Sequence, residues 1–378
     1  YFLFPKFSGS LRLSEYPLWQ NLKEFAPELK LRLAYGETGN LPKTTAKFTN
    51  LVTNNISGRT GLVPADERGD PDIKPERTKE VEFGFDATLF HGDATLEFTY
   101  YHQSIKDLIL DVGIAESSGA DVFTTNAGEM RTRGLEISLG LNPIKTEKFS
   151  WTSRVNFFTT DSEITKLDVD PFNMGGFATS LGTMRIEEGM SPTTIVGAEM
   201  DTVGVNPDGS PILRHRILGN ATPDFEMSFN NHFTIGNFEV SFLWDWRQGG
   251  DVINLGKLLM DFGGTSPDFD KIITFEGQQM KLGDFRRASF TKRTAPFVED
   301  GSYLKLRELT VNYNLPSSLV NRLFAGQISY LRLGFSGRNL LMFTGYDGFD
   351  PEVSQFGNVA IGGNVDTMPF PSSRSYYF

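Results

Sequence analysis

The stretch Phe225-Glu226-Met227-Ser228-Phe229-Asn230-Asn231-His232-Phe233-Thr234-Ile235-Gly236-Asn237-Phe238-Glu239-Val240-Ser241-Phe242-Leu243-Trp244-Asp245-Trp246-Arg247 decides the fold. Phe225, Met227, Phe229, Phe233 and Ile235 alternate with Glu226, Ser228, Asn230, His232 and Thr234. Successive side chains of a strand point to opposite faces, so this run is a strand with one apolar and one polar face. Gly236-Asn237 leaves room only for a tight reversal. Beyond it Phe238, Val240, Phe242, Trp244 and Trp246 oppose Glu239, Ser241, Asp245 and Arg247. The segment therefore reads as one amphipathic hairpin.

The same period recurs along the chain. Val81, Phe83, Phe85, Ala87 and Leu89 alternate with Glu82, Gly84, Asp86 and Thr88. Leu135, Ile137, Leu139 and Leu141 alternate with Glu136, Ser138, Gly140 and Asn142, while Phe149, Trp151, Val155 and Phe157 share one parity. Weaker runs occupy 28–36, 93–105 and 328–343. In 302–314 the apolar parity changes between Leu306 and Leu309, which predicts a bulge. Partial runs at both ends included, the pattern gives about eleven antiparallel strands, with helices confined to connections.

Those connections alternate in length. His91-Gly92-Asp93, Pro143 to Glu147 and Gly236-Asn237 are short, whereas 37–75, 106–128, 160–223, 248–301 and 344–371 are long. Two short-side connections, 14–27 and 315–327, are longer, and Ser317 is placed to cap a helical turn in the second. Short turns at one end and long loops at the other match a transmembrane β-barrel, whereas a soluble sandwich mixes lengths at both ends. Periodicity alone is compatible with either. The aromatics favour the barrel: Trp244 and Trp246 precede one long loop and Tyr100 and Tyr101 precede another, where an interfacial girdle belongs.

Composition agrees and excludes other classes. In 378 residues there is no cysteine, so disulfide frameworks, thiolate metal sites and cysteine nucleophiles are all ruled out. Mean hydropathy is slightly below zero, and no apolar run is long enough for a transmembrane helix. A net charge of -11 argues against nucleic acid as the main partner. His91, His102, His215 and His232 are scattered without metal-ligand spacing, and no G-x-S-x-G elbow, phosphate loop or H-E-x-x-H helix occurs. No catalytic residue, metal site or cofactor is therefore assigned. The loop Asp66-Glu67-Arg68-Gly69-Asp70-Pro71-Asp72 has enough carboxylates for calcium but lacks the spacing of a calcium loop. Asn206-Pro207-Asp208-Gly209-Ser210 reads as a hairpin turn.

Longer segments carry a more specific signal. Leu29 to Asn40 ends in Tyr35-Gly36-Glu37-Thr38-Gly39-Asn40, and Pro75-Glu76-Arg77-Thr78 opens the next strand. Asn126-Ala127-Gly128 leads to Arg133-Gly134-Leu135-Glu136. Asp300-Gly301-Ser302-Tyr303-Leu304-Lys305-Leu306-Arg307-Glu308-Leu309-Thr310 is followed by Gly337-Arg338-Asn339-Leu340-Leu341 and Tyr346-Asp347-Gly348-Phe349-Asp350-Pro351-Glu352-Val353. In order and spacing these stretches resemble the C-terminal part of the SusC/RagA family of TonB-dependent outer-membrane transporters. Two departures stand out: Thr132 replaces the usual Asn before Arg133-Gly134, and Pro371 to Phe378 resembles only the start of the family's last strand.

The resemblance implies that residues 1–378 are the C-terminal half of a barrel of about 22 strands, with the plug and first half-barrel outside this chain. An odd strand count agrees, since single-chain bacterial barrels have even numbers. It further implies import of glycan or peptide oligomers across the cell outer membrane. The expected partners are a SusD-like surface lipoprotein, TonB on the periplasmic side, and outer-membrane lipid. Parity nominates Glu226, His232, Glu239, Asp245 and Arg247 as lumen-facing residues, with no substrate site assigned among them. The competing readings are a siderophore or cobalamin receptor and, in another class, a secreted β-rich adhesin or carbohydrate-active protein.

Overall fold

The computed structural model describes residues 3–205, 211–357, 359, 361–370 and 372–378. Its main sheet has 12 strands, of which eleven follow one another in chain order. They are β1 (Lys6–Arg12), β2 (Glu28–Asn40), β3 (Glu76–Leu89), β4 (Ala94–Gly113), β5 (Val122–Lys145) and β6 (Phe149–Leu167). The rest are β7 (Pro223–Ile235), β8 (Phe238–Gly249), β9 (Tyr303–Asn314), β10 (Arg332–Thr344) and β11 (Ser375–Tyr377). Each pairs antiparallel with the next. The short strand Glu67–Arg68 adds in parallel to the start of β5. The quoted hairpin is β7–β8, with Gly236 at positive φ in its turn.

The register turns alternation along each strand into rows across the sheet. One row runs Leu31, Phe85, Phe98, Ile137, Phe157, Met227, Trp246, Leu304 and Phe343, apolar from β2 to β10. Phe85 and Phe98 stack within it at 5.2 Å. The row one residue away, on the opposite face, runs Arg32, Gly84, Thr99, Glu136, Phe158, Glu226, Arg247, Tyr303 and Thr344. The first face is the lipid-facing exterior and the second the lumen wall. Exterior polar groups are matched where they occur: Asn231 accepts a 3.0 Å bond from the Trp151 indole.

Toward the long-loop side the exterior becomes charged. Arg133 pairs with Asp161 at 2.8 Å and Arg131 with Glu163 at 2.5 Å, while Lys79 and Arg77 lie near Glu37. Below these groups the apolar run Val81 to Leu89 of β3 covers about 20 Å of height at usual strand rise and tilt, near the ~25 Å apolar band of such barrels. Tyr100 pairs with Phe83 and Leu135 at the upper edge of this band, immediately below His102 and Arg133. Its neighbour Tyr101 does not join a girdle. It faces the lumen, where its ring lies over Gly134 (a Cβ there would sit 2.3 Å from it) and its hydroxyl donates to Thr160 at 3.3 Å. Consecutive strand residues point to opposite faces, so only one of the two tyrosines can face lipid. Trp244 and Trp246 lie on the exterior, Trp244 stacked on Phe343 and Trp246 edge-on to Phe225.

The long connections are folded. Instead of a loop over 106–128, β4 and β5 continue their pairing to Gly113 and Val122, past a register shift between Ile105 and Ile109. The shift brings Leu110 and Val112 into a buried cluster with Ala127, Ile164 and Ile186. This second core, outside the membrane band, is what a sequence of mixed polarity concealed. Between β6 and β7, strands Phe172–Ala178, Gly182–Ile186, Thr194–Val205 and Pro211–Asn220 form a separate sheet. The turn expected at 206–210 lies outside the described residues. Between β8 and β9 come α1 (Leu255–Gly263) and α2 (Leu282–Ser289), whose base shares a core of Met184, Ile195, Ile253, Leu258, Phe297 and Val365. The 315–327 connection holds α3 (Ser317–Phe324) around buried Val320. The serine cap expected there is not formed: Pro316 occupies the N-cap and Ser317 is already helical.

This assignment of faces is testable at adjacent residues of β5 in the full-length protein. Leu139→Arg puts a charge at mid-band on the exterior and should cost about 2–4 kcal/mol in folding from lipid vesicles, whereas Ser138→Arg on the lumen wall should cost little. Heat-modifiable gel mobility of outer-membrane fractions reads the same contrast as lost or retained assembly.

Candidate functional site: an ionic anchor on the lumen wall

The bulge expected near Leu306 is present, as a register shift between Leu306 and Glu308 on β9 and between Leu243 and Trp244 on β8. A bulge places an extra residue on one strand and re-aims its neighbours. Tyr303, Lys305 and Arg307 share the lumen parity just before this shift, so all three reach the same group on the lumen side. That group belongs to the β10–β11 connection: Glu352 accepts from the Tyr303 hydroxyl at 2.8 Å, from Arg307 Nη1 at 2.7 Å and from Lys305. Arg307 also grips Asp245 of β8 through Nε at 2.9 Å and Nη2 at 2.5 Å. Lys305 bonds Asp350 at 2.6 Å, and these two are only 4 % and 5 % exposed. The second oxygen of Asp350 accepts from Ser372 at 2.9 Å.

The result is a connection bolted to the barrel wall at the level where the lumen opens. Further out, the Tyr346 hydroxyl donates to buried Asp366 at 2.7 Å, and burial beside that carboxylate raises the phenol's pKa. Lys257 of α1 bridges Glu299 at 2.9 Å and Asp347, joining the neighbouring connection to the same segment. That connection has its own hub: Arg286, 2 % exposed, binds Asp261 at 2.5 Å and Asp268 at 2.6 Å, tying α2 to α1.

The nominated lumen residues all fall on the polar face but divide into two groups. Glu226, Asp245 and Arg247 cluster at the anchor, with Glu226 and Arg247 directly opposite in register. Arg247 donates to the Ala221 carbonyl at 3.0 Å. Glu239 and His232 sit at the short-turn end, where Glu239 binds Arg332 at 2.6 Å and Asn314 at 2.8 Å. His232 is exposed between Thr152 and Ser241. Tyr303, Lys305, Arg307, Asp350 and Glu352, which build the anchor, are not among the residues that strand parity nominates. The parity switch at Leu306–Leu309 was their only local signal, since their partners lie about 45 residues away. In the acidic 66–72 loop, Glu67 accepts from Thr124 at 2.9 Å and Asp70 from Thr125 at 2.5 Å.

Burial would raise the pKa of Glu352, but its bonds from Arg307 and Lys305 prevail and bring it to about 2, from 4.5. A depressed carboxylate pKa contributes stability that is full above the ordinary value and lost as pH falls through the folded value. The anchor should therefore weaken between pH 4.5 and about 2, so limited proteolysis of the 345–374 segment should be equal at pH 7 and pH 5. Lys305→Ala strands Asp350 as a buried unpaired charge, which should cost about 3–5 kcal/mol and expose that segment to protease at neutral pH.

The geometry meets independent likenesses. The family described as "TonB dependent receptor-like, beta-barrel" has a model that matches residues 3–340. TonB-dependent receptor P3 of Formosa agariphila is 29 % identical over 92 % of this chain and 38 % of that protein. TonB-dependent receptor SusC of Bacteroides thetaiotaomicron is 20 % identical over 92 % of this chain and 37 % of its own length. Among solved structures, the RagAB peptide transporter superposes with a TM-score of 0.74 at 23 % identity, over 99 % of this chain and 42 % of that one. At that identity the structural likeness speaks to the fold, and the chain spans less than half the length of each relative. The chain belongs to the TonB-dependent receptor-like β-barrel family.

Proposed function

We propose that the protein containing this chain is an outer-membrane importer of glycan or peptide oligomers, working as the SusC-like channel beneath a SusD-like surface lipoprotein and driven by TonB. Residues 1–378 supply the C-terminal part of the barrel wall and its surface connections, and the rest of the polypeptide supplies the remaining strands and a plug. The protein makes and breaks no covalent bond; it binds an oligomer at the surface opening and carries it through the lumen as the plug is displaced. No resident metal or cofactor takes part.

The observation that carries this reading is the anchor. In it the Asp350-Pro351-Glu352 segment is fastened to Tyr303, Lys305 and Arg307, so the two sequence stretches most like the SusC/RagA family form one built structure. Import channels need surface connections held in place over a polar wall, and the anchor holds one there. The relatives agree in kind: one curated relative is SusC itself, and one neighbour in structure is described as a peptide transporter.

The proposal is tested in cells that express the full-length protein. Fluorescent glycan and peptide oligomers should enter the periplasm when TonB is present and stay outside in a strain lacking it. Uptake of neither class in a strain with assembled, heat-modifiable protein would refute import.

A further inference from the structure

The β6–β7, β8–β9 and β10–β11 connections are far apart in sequence, yet each is joined to the other two by buried contacts. Thr294, fully buried, fastens the first pair. Its Oγ1 accepts from the Ala198 N–H at 2.9 Å and donates to the Ser180 carbonyl at 3.0 Å, and its own N–H donates to the Ala198 carbonyl at 2.9 Å. Nearby, the Asp251 carboxylate accepts from the Asn220 N–H at 2.8 Å.

The second joint is a parallel strand pairing of Ile253 with Val365 and Asn254 with Asp366. Both Ile253 and Val365 are 0 % exposed, and the Ile253 N–H donates to the Asn364 carbonyl at 2.9 Å. The third is a contact of backbone on backbone. Gly175 and Gly362 both have positive φ, and a Cβ on Gly175 would sit 2.5 Å from the Gly362 Cα. Only two glycines can meet so closely in that conformation. Phe177 and Phe356 close the same joint with ring centroids 5.1 Å apart. Ile361, next to Gly362, packs on the core around Ile253 and also on the core around Ile164 and Ile186.

Parts that separate during a working cycle meet across small polar contacts, whereas a large apolar interface holds its two sides together. Parting the first joint would leave the Thr294 hydroxyl and the Ala198 backbone without partners, and parting the second would open an apolar core and a strand ladder. The assembly is also held at two ends, by the Lys305–Asp350 pair on the barrel wall and by Ile164 on β6.

We propose that these three connections are one fixed rim that stays joined throughout import, so that cargo passes beside it and not between its parts. The proposal rests on the import reading and adds which surface connections do not gate.

Links across the joints test it in a full-length background made free of cysteine. Ile253→Cys with Val365→Cys places two thiols on strand partners whose Cα atoms are about 5 Å apart, within the span of a disulfide. Import of the fluorescent oligomers should be the same for this variant oxidised and reduced. Phe177→Cys with Phe356→Cys, on exposed side chains, spares the core, and import should be the same before and after linkage by a short bismaleimide. Import that is lost on linkage at either pair, and for the disulfide restored by reductant, overturns the fixed rim and leaves the import reading standing.

Deuterium exchange of the unsubstituted full-length protein reads the joints without a link. The amides of Ala198, Ile253, Thr294 and Val365 should exchange as one slow set, because a unit that opens cooperatively exposes all its amides together. Fast exchange at Val365 beside slow exchange at Ile253 and Thr294 overturns the proposal. A parent protein that imports neither class of oligomer removes the import reading, and the exchange pattern then judges the joined rim by itself.

Discussion

Hydrocarbon offers no hydrogen bonds, and that constraint governs the rest of the structure. Every backbone N–H and C=O at membrane depth must find a partner within the protein, which strands do only by pairing sideways. From β2 to β10 the ladder is continuous, so the sheet presents two faces of opposite chemistry, one row apart. A slip of one residue in any pair would move a strand's phenylalanines into the lumen and its carboxylates into lipid. Row after row of matched polarity therefore fixes the register more firmly than any single contact. Stacked pairs such as Phe85–Phe98 add to this.

The same solvent division decides where charge can be useful. On the exterior above the band, Arg133 and Asp161 are half or more exposed, and such pairs are worth about 0–1 kcal/mol each. The anchor differs because it is buried. Desolvating Lys305 and Asp350 costs nearly what their attraction returns, so the pair contributes little net stability over an apolar substitute. What it contributes is choice of partner. An apolar patch accepts many arrangements, but a buried ammonium facing Asp350 and Glu352, beside a guanidinium that shares Glu352 and also holds Asp245, accepts only one. The β10–β11 connection is thereby assigned a single place on the wall, and through Lys257, which reaches Asp347, the β8–β9 connection is placed with it.

The features legible in the sequence were those the membrane writes directly. Alternation gave the strands, turn length gave the side, and the parity break at Leu306–Leu309 gave the bulge. What stayed hidden depends on residues distant in sequence. Leu108, Leu110 and Val112 look like part of a mixed-polarity loop because their core partners, Ile164 and Ile186, arrive from another connection. The partners of Lys305 and Arg307 lie on a segment whose fold no local period describes. Tyr101 was misplaced for a simpler reason: two adjacent tyrosines suggest a girdle by composition, while the strand allows only one of them to face lipid. Gly134 decides which one has room inside.

Adjacent Phe157 and Phe158 show how far chemistry can change over one residue. Phe157 belongs to an unbroken apolar row, where lipid requires nothing more than a large hydrocarbon surface. Phe158 interrupts a row otherwise made of charged, hydroxyl-bearing and glycine residues, because a strand that turns Phe157 to lipid must turn the next residue to the lumen.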